Sequence, residues 1–271
     1  MRRAQENDWP VAQWCYRESS APPDGWLSQY DIEVRKQQVT KATWLMEYDL
    51  QEPVFEGRAI DTDAVDAAFD ATLGVWKGEP GEHLIIEEPK EGARYVTGVD
   101  WAKEKDWTVI RTFRSDVWPW REVAFERIAR VPWPQMVMRL DRRLDMYRGV
   151  AAHDATGIGN VVADLLKHDV QGVVMQGRRR DALLSEYVAA IEDGAFRSPM
   201  IEWVHSEHRY CRLDDLYGSG HPPDSLVSGA LAWSLRHESR GPLPPALSIT
   251  RETSPWYGGE PVAGWWNMEG V

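Results

Sequence analysis

The sequence predicts an α/β fold, a mixed five-stranded sheet with three antiparallel strands followed by two parallel ones, flanked by helices. Three observations carry that prediction. Three β-rich runs, 95–100, 107–113 and 121–129, are separated by joins short enough for antiparallel pairing. Two later apolar runs, 149–154 and 170–175, are each preceded by a stretch with helical periodicity, which implies parallel strands joined by right-handed crossovers. At 271 residues, with 43% hydrophobic and 27% charged residues, the chain has room and composition for one large domain, or one domain with an arm.

Before residue 93 the pattern is less orderly. Ser28 to Glu47 is polar with Ile32, Val34, Val39, Trp44, Leu45 and Met46 spaced as in a helix packed on something else. Asp61 to Phe69 repeats that pattern on a smaller scale, and Gly74 to Gly92 reads as a surface connection. Residues 1–92 are therefore expected to form an acidic arm, 93–240 the domain, and the Pro-, Gly- and Trp-rich residues 241–271 a tail.

Within the domain, Pro132 and Pro134 open a helix in which Met136, Val137, Leu140, Leu144 and Tyr147 recur at three- and four-residue steps. Strand 149–154 follows, then a helix with Ile158, Val161, Val162, Leu165 and Leu166 on one face. After strand 170–175, Arg178-Arg179-Arg180 leads into a helix carrying Leu183, Leu184, Tyr187, Val188 and Ile191. A last helix spans about Pro222 to Arg236. Gly229 in its interior costs about 1 kcal/mol against Ala, which implies close approach to a neighbouring element.

The formal charge of −12 argues at first against a nucleic-acid partner. Its distribution alters that: residues 1–94 carry 10 Lys+Arg and 19 Asp+Glu, or −9, while 95–240 carry 20 and 21, or −1. No apolar run reaches the length of a membrane span, and Met1-Arg2-Arg3 is not followed by a signal-peptide core. Cys15 and Cys211 stand in no metal-type spacing and read as reduced thiols.

Two strands end on a carboxylate, Asp100 and Asp154. If these strands are neighbours and parallel, the two residues lie about one strand spacing apart, ~4.8 Å. Asp224 enters from the start of the last helix, after His221-Pro222-Pro223. Three carboxylates at one sheet edge repel unless cations neutralise them, and an oxygen-only set suits Mg²⁺ or Mn²⁺. Two such ions can activate water and stabilise the leaving oxygen of a phosphodiester. Each residue also has a plain structural reading, Asp100 as a turn residue and Asp154 and Asp224 as helix caps.

Thr97-Gly98-Val99-Asp100-Trp101-Ala102 through Asp106-Trp107-Thr108-Val109 resembles the opening of the nuclease domain of phage terminase large subunits, a branch of the RNase H-like superfamily. Asp154 in His153-Asp154-Ala155-Thr156-Gly157 and Asp224 in Pro223-Asp224-Ser225-Leu226 match the second and third acidic positions. The resemblance spans about residues 93–237, and Tyr30 to Tyr48 is similar to the segment that follows the ATPase domain in such proteins. It implies a metal-dependent endonuclease that cuts concatemeric double-stranded DNA during viral genome packaging. Asp100, Asp154 and Asp224 would be catalytic and metal-binding, and Asp106 a further ligand. Lys103, Lys105, Arg178, Arg179 and Arg180 are candidates for phosphate contact. Implied partners are a terminase ATPase domain or subunit, the small subunit and the portal, in the cytoplasm of an infected host. No Gly-x-x-x-x-Gly-Lys-Ser/Thr run is present, so the packaging ATPase is expected outside these residues. Pro223 stands where the family often has another acid.

Two other readings compete. An actin-like or sugar-kinase-like ATPase uses a related sheet, but needs two such domains. A non-catalytic module docking on the packaging motor would use the acidic arm and the Trp-rich tail. The His205-Ser206-Glu207-His208 run has a spacing open to a transition metal, and His153 and His221 flank the acids.

Overall fold

The computed structural model describes residues 16–20, 27–49, 57–101, 107–129, 131–156, 162, 165–218 and 220–238. Lys103, Lys105, Asp106, the tail and most of the helix expected after Asp154 lie outside the described residues.

The five expected strands all form, as β3 (Tyr95–Asp100), β4 (Thr108–Arg114), β5 (Trp120–Ile128), β6 (Gly149–Asp154) and β7 (Gln171–Val173). β3, β4 and β5 are antiparallel neighbours; β6 and β7 continue the sheet in parallel on the other side of β3. The expected count of five is nevertheless too low. The sheet has eight strands in the order β1-β8-β5-β4-β3-β6-β7, with β2 also on β5. The additional strands are β1 (Phe69–Trp76), β2 (His83–Ile85) and β8 (Phe196–Ile201).

Local pattern hides these three for identifiable reasons. Gly74, which reads as the start of a surface connection, instead has φ 125° where the β1–β8 register shifts. It bends the strand without ending it. Pro199 in β8 argues against a strand paired on both edges. Its pairing is with β1, while β5 meets β8 only at Phe196 and Arg197, so β5 asks for no donor at Pro199. β1 and β2 precede residue 93 and still hydrogen bond into the sheet.

Among the described residues, seven α-helices have five residues or more. They are α1 (Gln29–Lys36), α2 (Thr62–Ala68), α3 (Trp133–Met146), α4 (Gly177–Glu192), α5 (Glu202–Tyr210), α6 (Leu213–Tyr217) and α7 (Asp224–Ser234). The single helix expected over Ser28–Glu47 is divided. Ser28 caps α1, its Oγ accepting from Asp31 N–H (3.1 Å), and Thr40 caps a second start by accepting from Thr43 N–H (3.1 Å). Each cap satisfies an amide that a continuous helix would bond internally. This segment is tied to the domain through Glu192, whose carboxylate accepts from the amides of Lys41 (2.5 Å) and Asp61 (3.2 Å).

Side-chain alternation along the central strands separates two cores. Val99, Trp101 and Ala151 pack with Ile110, Met136 and Leu140 on the α3 face. Val96, Ala152, Val109 and Phe113 pack with α4 and α7 on the other. α7 is buried along nearly its whole length and crosses β3, β4 and β6. Two glycines permit that approach: a Cβ on Gly98 would lie 1.9 Å from the Ser228 carbonyl oxygen, and one on Gly229 would lie 2.3 Å from the Tyr187 ring. Gly229 therefore has the close neighbour that its place in the helix implied.

Candidate active site

The register of the sheet builds the site. β3 and β6 are parallel with Val99 opposite His153, so Asp100 and Asp154 are the next pair along and point to the same face. That face carries Gly98 and Ala152, hence α7. Asp100 also pairs with Val109, and Val109 with Arg127. One row across the sheet therefore reads Asp154, Asp100, Val109, Arg127, all on the α7 side.

α7 brings Asp224 to the same end. Ser228 lies over Gly98; four helical residues advance about 6 Å and two strand residues about 6.6 Å, so Asp224 stands over the Asp100 end of β3. Its direction is fixed by Trp107, which precedes β4 and donates its N–H to Asp224 Oδ2 (3.1 Å). Asp100 and Asp224 are each 8% exposed.

Ser225, next to Asp224, is held at both ends. Pro223 at the N-cap offers no side-chain oxygen, and Glu207 of α5 supplies one, accepting from Ser225 N–H (3.1 Å). The Ser225 carbonyl accepts from Arg111 Nη1 (3.0 Å). Arg111 is fully buried and forms a two-pronged pair with Glu122, Nε to Oε1 and Nη2 to Oε2, both 2.8 Å. Its Nη1 also donates to Tyr187 Oη (2.9 Å), which bonds His208 Nε2 (3.1 Å), and His208 Nδ1 donates to the Val204 carbonyl (2.8 Å). Burial pushes the His208 pKa well below the usual histidine range, so it serves this chain as a neutral ring. Burial, reinforced by the charge of Asp224, pushes Glu207 up to about 7.

The structure thus brings Asp100, Asp154 and Asp224 to one face at one end of the sheet. It does not draw them tight: among the described residues no group of three or more His, Cys, Asp and Glu side chains is close enough to hold a metal ion. Asp154 Oδ1 is turned onto its own loop, accepting from Thr156 N–H (2.8 Å). The donor set still fits a hard divalent cation in kind, since all three groups are carboxylates.

Other expected candidates separate from the site. His153 is buried on the α3 face beside Trp101, with Nδ1 donating to the Asp154 carbonyl (3.1 Å), and burial lowers its pKa. His205 bonds Asp66 (2.8 Å) while His208 serves Tyr187, so the His205–His208 run is not one metal site. Arg178 and Arg179 are exposed at the start of α4, five and six residues beyond β7 and therefore at the carboxylate end of the sheet. Arg180 is engaged with the Leu216 carbonyl (2.6 Å).

Sequence reading missed Arg127 and Trp203, and met Glu207 only inside the His205–His208 run. The Arg127 guanidinium lies against Trp203 (3.9 Å) and Trp107 (4.6 Å) and faces the charges of Glu207, Asp224 and Glu79. No local signal marked Arg127: strand 120–128 carries Arg121, Glu122, Glu126 and Arg127, and only the register shows which of them lie on the α7 face.

A mixed sheet whose adjacent parallel strands end on aspartates, with a helix delivering a third over the same face, has the RNase H-like architecture of large-terminase nuclease domains. The comparisons with known proteins agree. The chain is 26% identical over 214 residues to the terminase large subunit of Thermus virus P23-45, and 25% identical to that of Thermus phage G20c. Each match covers 70% of this chain and 43% of the relative, so the chain spans less than half the length of the curated relatives it matches. Among solved structures, the large terminase nuclease of thermophilic phage G20c matches with TM-score 0.52 and 21% identity, over 64% of this chain and 96% of that one. The large terminase nuclease domain of Thermus phage P74-26 gives 0.51 and 22%, over 66% and 97%. The G20c nuclease has also been solved with bound magnesium, zinc and cobalt. No family model matches the chain.

Proposed function

We propose that this chain is the metal-dependent endonuclease part of a viral packaging terminase, cutting concatemeric double-stranded DNA. One observation carries the reading: Asp154 and Asp100 end neighbouring parallel strands on one face, and α7 sets Asp224 over the same end. A divalent cation would neutralise these three carboxylates once they turn toward one another.

Asp100, Asp154 and Asp224 would hold Mg²⁺ or Mn²⁺, with Asp106 as a further ligand and two ions as the working number. Bound there, the ions supply the positive charge that a phosphodiester needs and lower the pKa of an attacking water. The chain's residues do the positioning. Asp100, beside Asp154 in the row and under the start of α7, would be the central ligand of that set. Arg111 and Glu207 fix the first turn of α7 and so the reach of Asp224. Asp154 must give up its bond to Thr156 N–H to turn inward. Lys103, Lys105, Arg178 and Arg179 would contact phosphates without reading sequence. The ATPase domain or subunit, the small subunit and the portal are the proposed partners, in the cytoplasm of the infected host. No helix among the described residues is long and apolar enough to cross a membrane.

The spread of the three carboxylates favours one competing reading, a docking module without catalysis. Plasmid nicking decides between them. The nuclease reading expects cleavage with Mg²⁺ or Mn²⁺, none with EDTA, and loss in Asp100→Asn; intact plasmid under both metals would leave the docking module.

A further inference from the structure

We propose that Arg127 is the phosphate ligand of this site, receiving a phosphodiester oxygen on the side of Asp224 away from Asp154. The inference rests on the nuclease reading and extends it to a residue that neither the motifs nor the charge pattern marks.

Position comes first. Arg127 closes the row Asp154–Asp100–Val109–Arg127, two strands from Asp100, or about 9.6 Å between backbones. An oxygen of a phosphodiester held at Asp100 and Asp224 is then within reach of an arginine side chain. Orientation comes second. The guanidinium rests against the rings of Trp203 and Trp107, and Nη1 donates to the Gly78 carbonyl (3.2 Å). Gly78 has φ 77°, and a Cβ there would lie 2.8 Å from Ile201 and 3.1 Å from Trp203, so the chain passes closely enough to pin that Nη. A flat cation stacked on indoles loses little further freedom when it binds an oxyanion.

Unused capacity comes third. A guanidinium has five N–H donors, and among the described residues Arg127 spends one on Gly78; its Nε is buried without a hydrogen-bond partner. Compare Arg111, whose donors are taken by Glu122, Tyr187 and Ser225. Arg111 has most of its donors committed inside the core, and Arg127 has not. Charge comes last. Asp100, Asp154, Asp224 and Glu207 present an acidic rim to a polyanion, and Arg127 is a fixed cation facing two of them.

The test uses the 271-residue chain, a labelled 30-base-pair duplex, Ca²⁺ for binding by anisotropy and Mn²⁺ for cleavage. Arg127→Gln is expected to raise Kd and KM about tenfold and to lower the salt slope of log K by about 0.9, one phosphate contact. Arg127→Lys should recover the slope, because it keeps the charge, without recovering KM, because it loses the planar fork. The midpoint of urea unfolding should stay in place for both. Unchanged Kd and slope with a lowered midpoint would make Arg127 a structural partner of Glu207 and overturn the proposal. If Arg127→Gln fails to fold, an Arg127→Lys enzyme with wild-type KM overturns it equally. Wild-type protein that neither binds nor cleaves the duplex would defeat the nuclease reading itself. Wild-type cleavage with an indifferent Arg127→Gln defeats only this inference.

Discussion

Two pairs of strand carboxylates have opposite surroundings. Glu122 and Glu126 lie on β5, buried, and each meets arginine: Glu122 pairs with Arg111, and Glu126 with Arg139 (2.7 Å) and Arg143 (3.4 Å) from α3. Asp100 and Asp154 stand side by side at the ends of β3 and β6, with a third carboxylate overhead. The first arrangement uses charge to complete a core, and removing one partner leaves an ion buried alone. The second gathers carboxylates at one end of the sheet with, among the described residues, no arginine paired to Asp154, an arrangement suited in kind to a cation. The difference separates structural acids from candidate catalytic ones more sharply than burial does, since Asp100 and Asp224 are themselves largely buried.

That contrast yields measurable expectations. The largest is at Asp100: Asp100→Asn should lower metal-dependent plasmid cleavage at least about a thousandfold, the equivalent of ~4 kcal/mol of lost charge stabilisation. Its unfolding midpoint should stay level or rise, because a repulsion is removed. A large loss of stability instead would place Asp100 with the structural acids. Glu122→Gln should behave oppositely, costing about 3–5 kcal/mol in urea unfolding by stranding Arg111. Activity then falls only as far as the first turn of α7 loosens. If Glu122→Gln proves nearly neutral, the contrast itself collapses.

Gly98→Ala joins the two regions. Its Cβ cannot coexist with the Ser228 carbonyl at 1.9 Å, so α7 must move outward. About 1–3 kcal/mol of destabilisation is expected, with a loss of cleavage larger than stability explains, because Asp224 moves with the helix. Equal loss in both would show that α7 shifts without changing the site.

The smallest effect is a pH dependence. Burial raises the Glu192 carboxyl to about 7 from an ordinary 4.5. The folded protein thus holds this proton more tightly than the unfolded chain. The resulting stabilisation is complete below about pH 4.5 and fades as pH climbs through 7. The difference in Tm between wild type and Glu192→Gln should move in favour of the variant from pH 5 to 8. A difference that stays flat would mean that Glu192 titrates normally and that the amides of Lys41 and Asp61 do not hold it buried.

Sequence by itself determined the central architecture and put three acids forward as candidates. The β-rich runs 95–100 and 121–129 with their short joins, the apolar run at 149–154 and the helical spacing after Pro132 are local properties, and each formed where its pattern said. Ordered spacing likewise singled out Asp100, Asp154 and Asp224. Tertiary structure decided what local pattern could not carry. β1 and β8 are strands because they pair with each other, against a positive-φ glycine in one and a proline in the other. Glu207 and Trp203 come near Asp224 from a helix that the sequence marked only by its His205–His208 spacing, and Arg127 does so only through the register of β3, β4 and β5. Periodicity reports which face a residue occupies within its own element. Which residues of distant elements share a row depends on strand order and register, and those are fixed only when the whole sheet closes over its two cores.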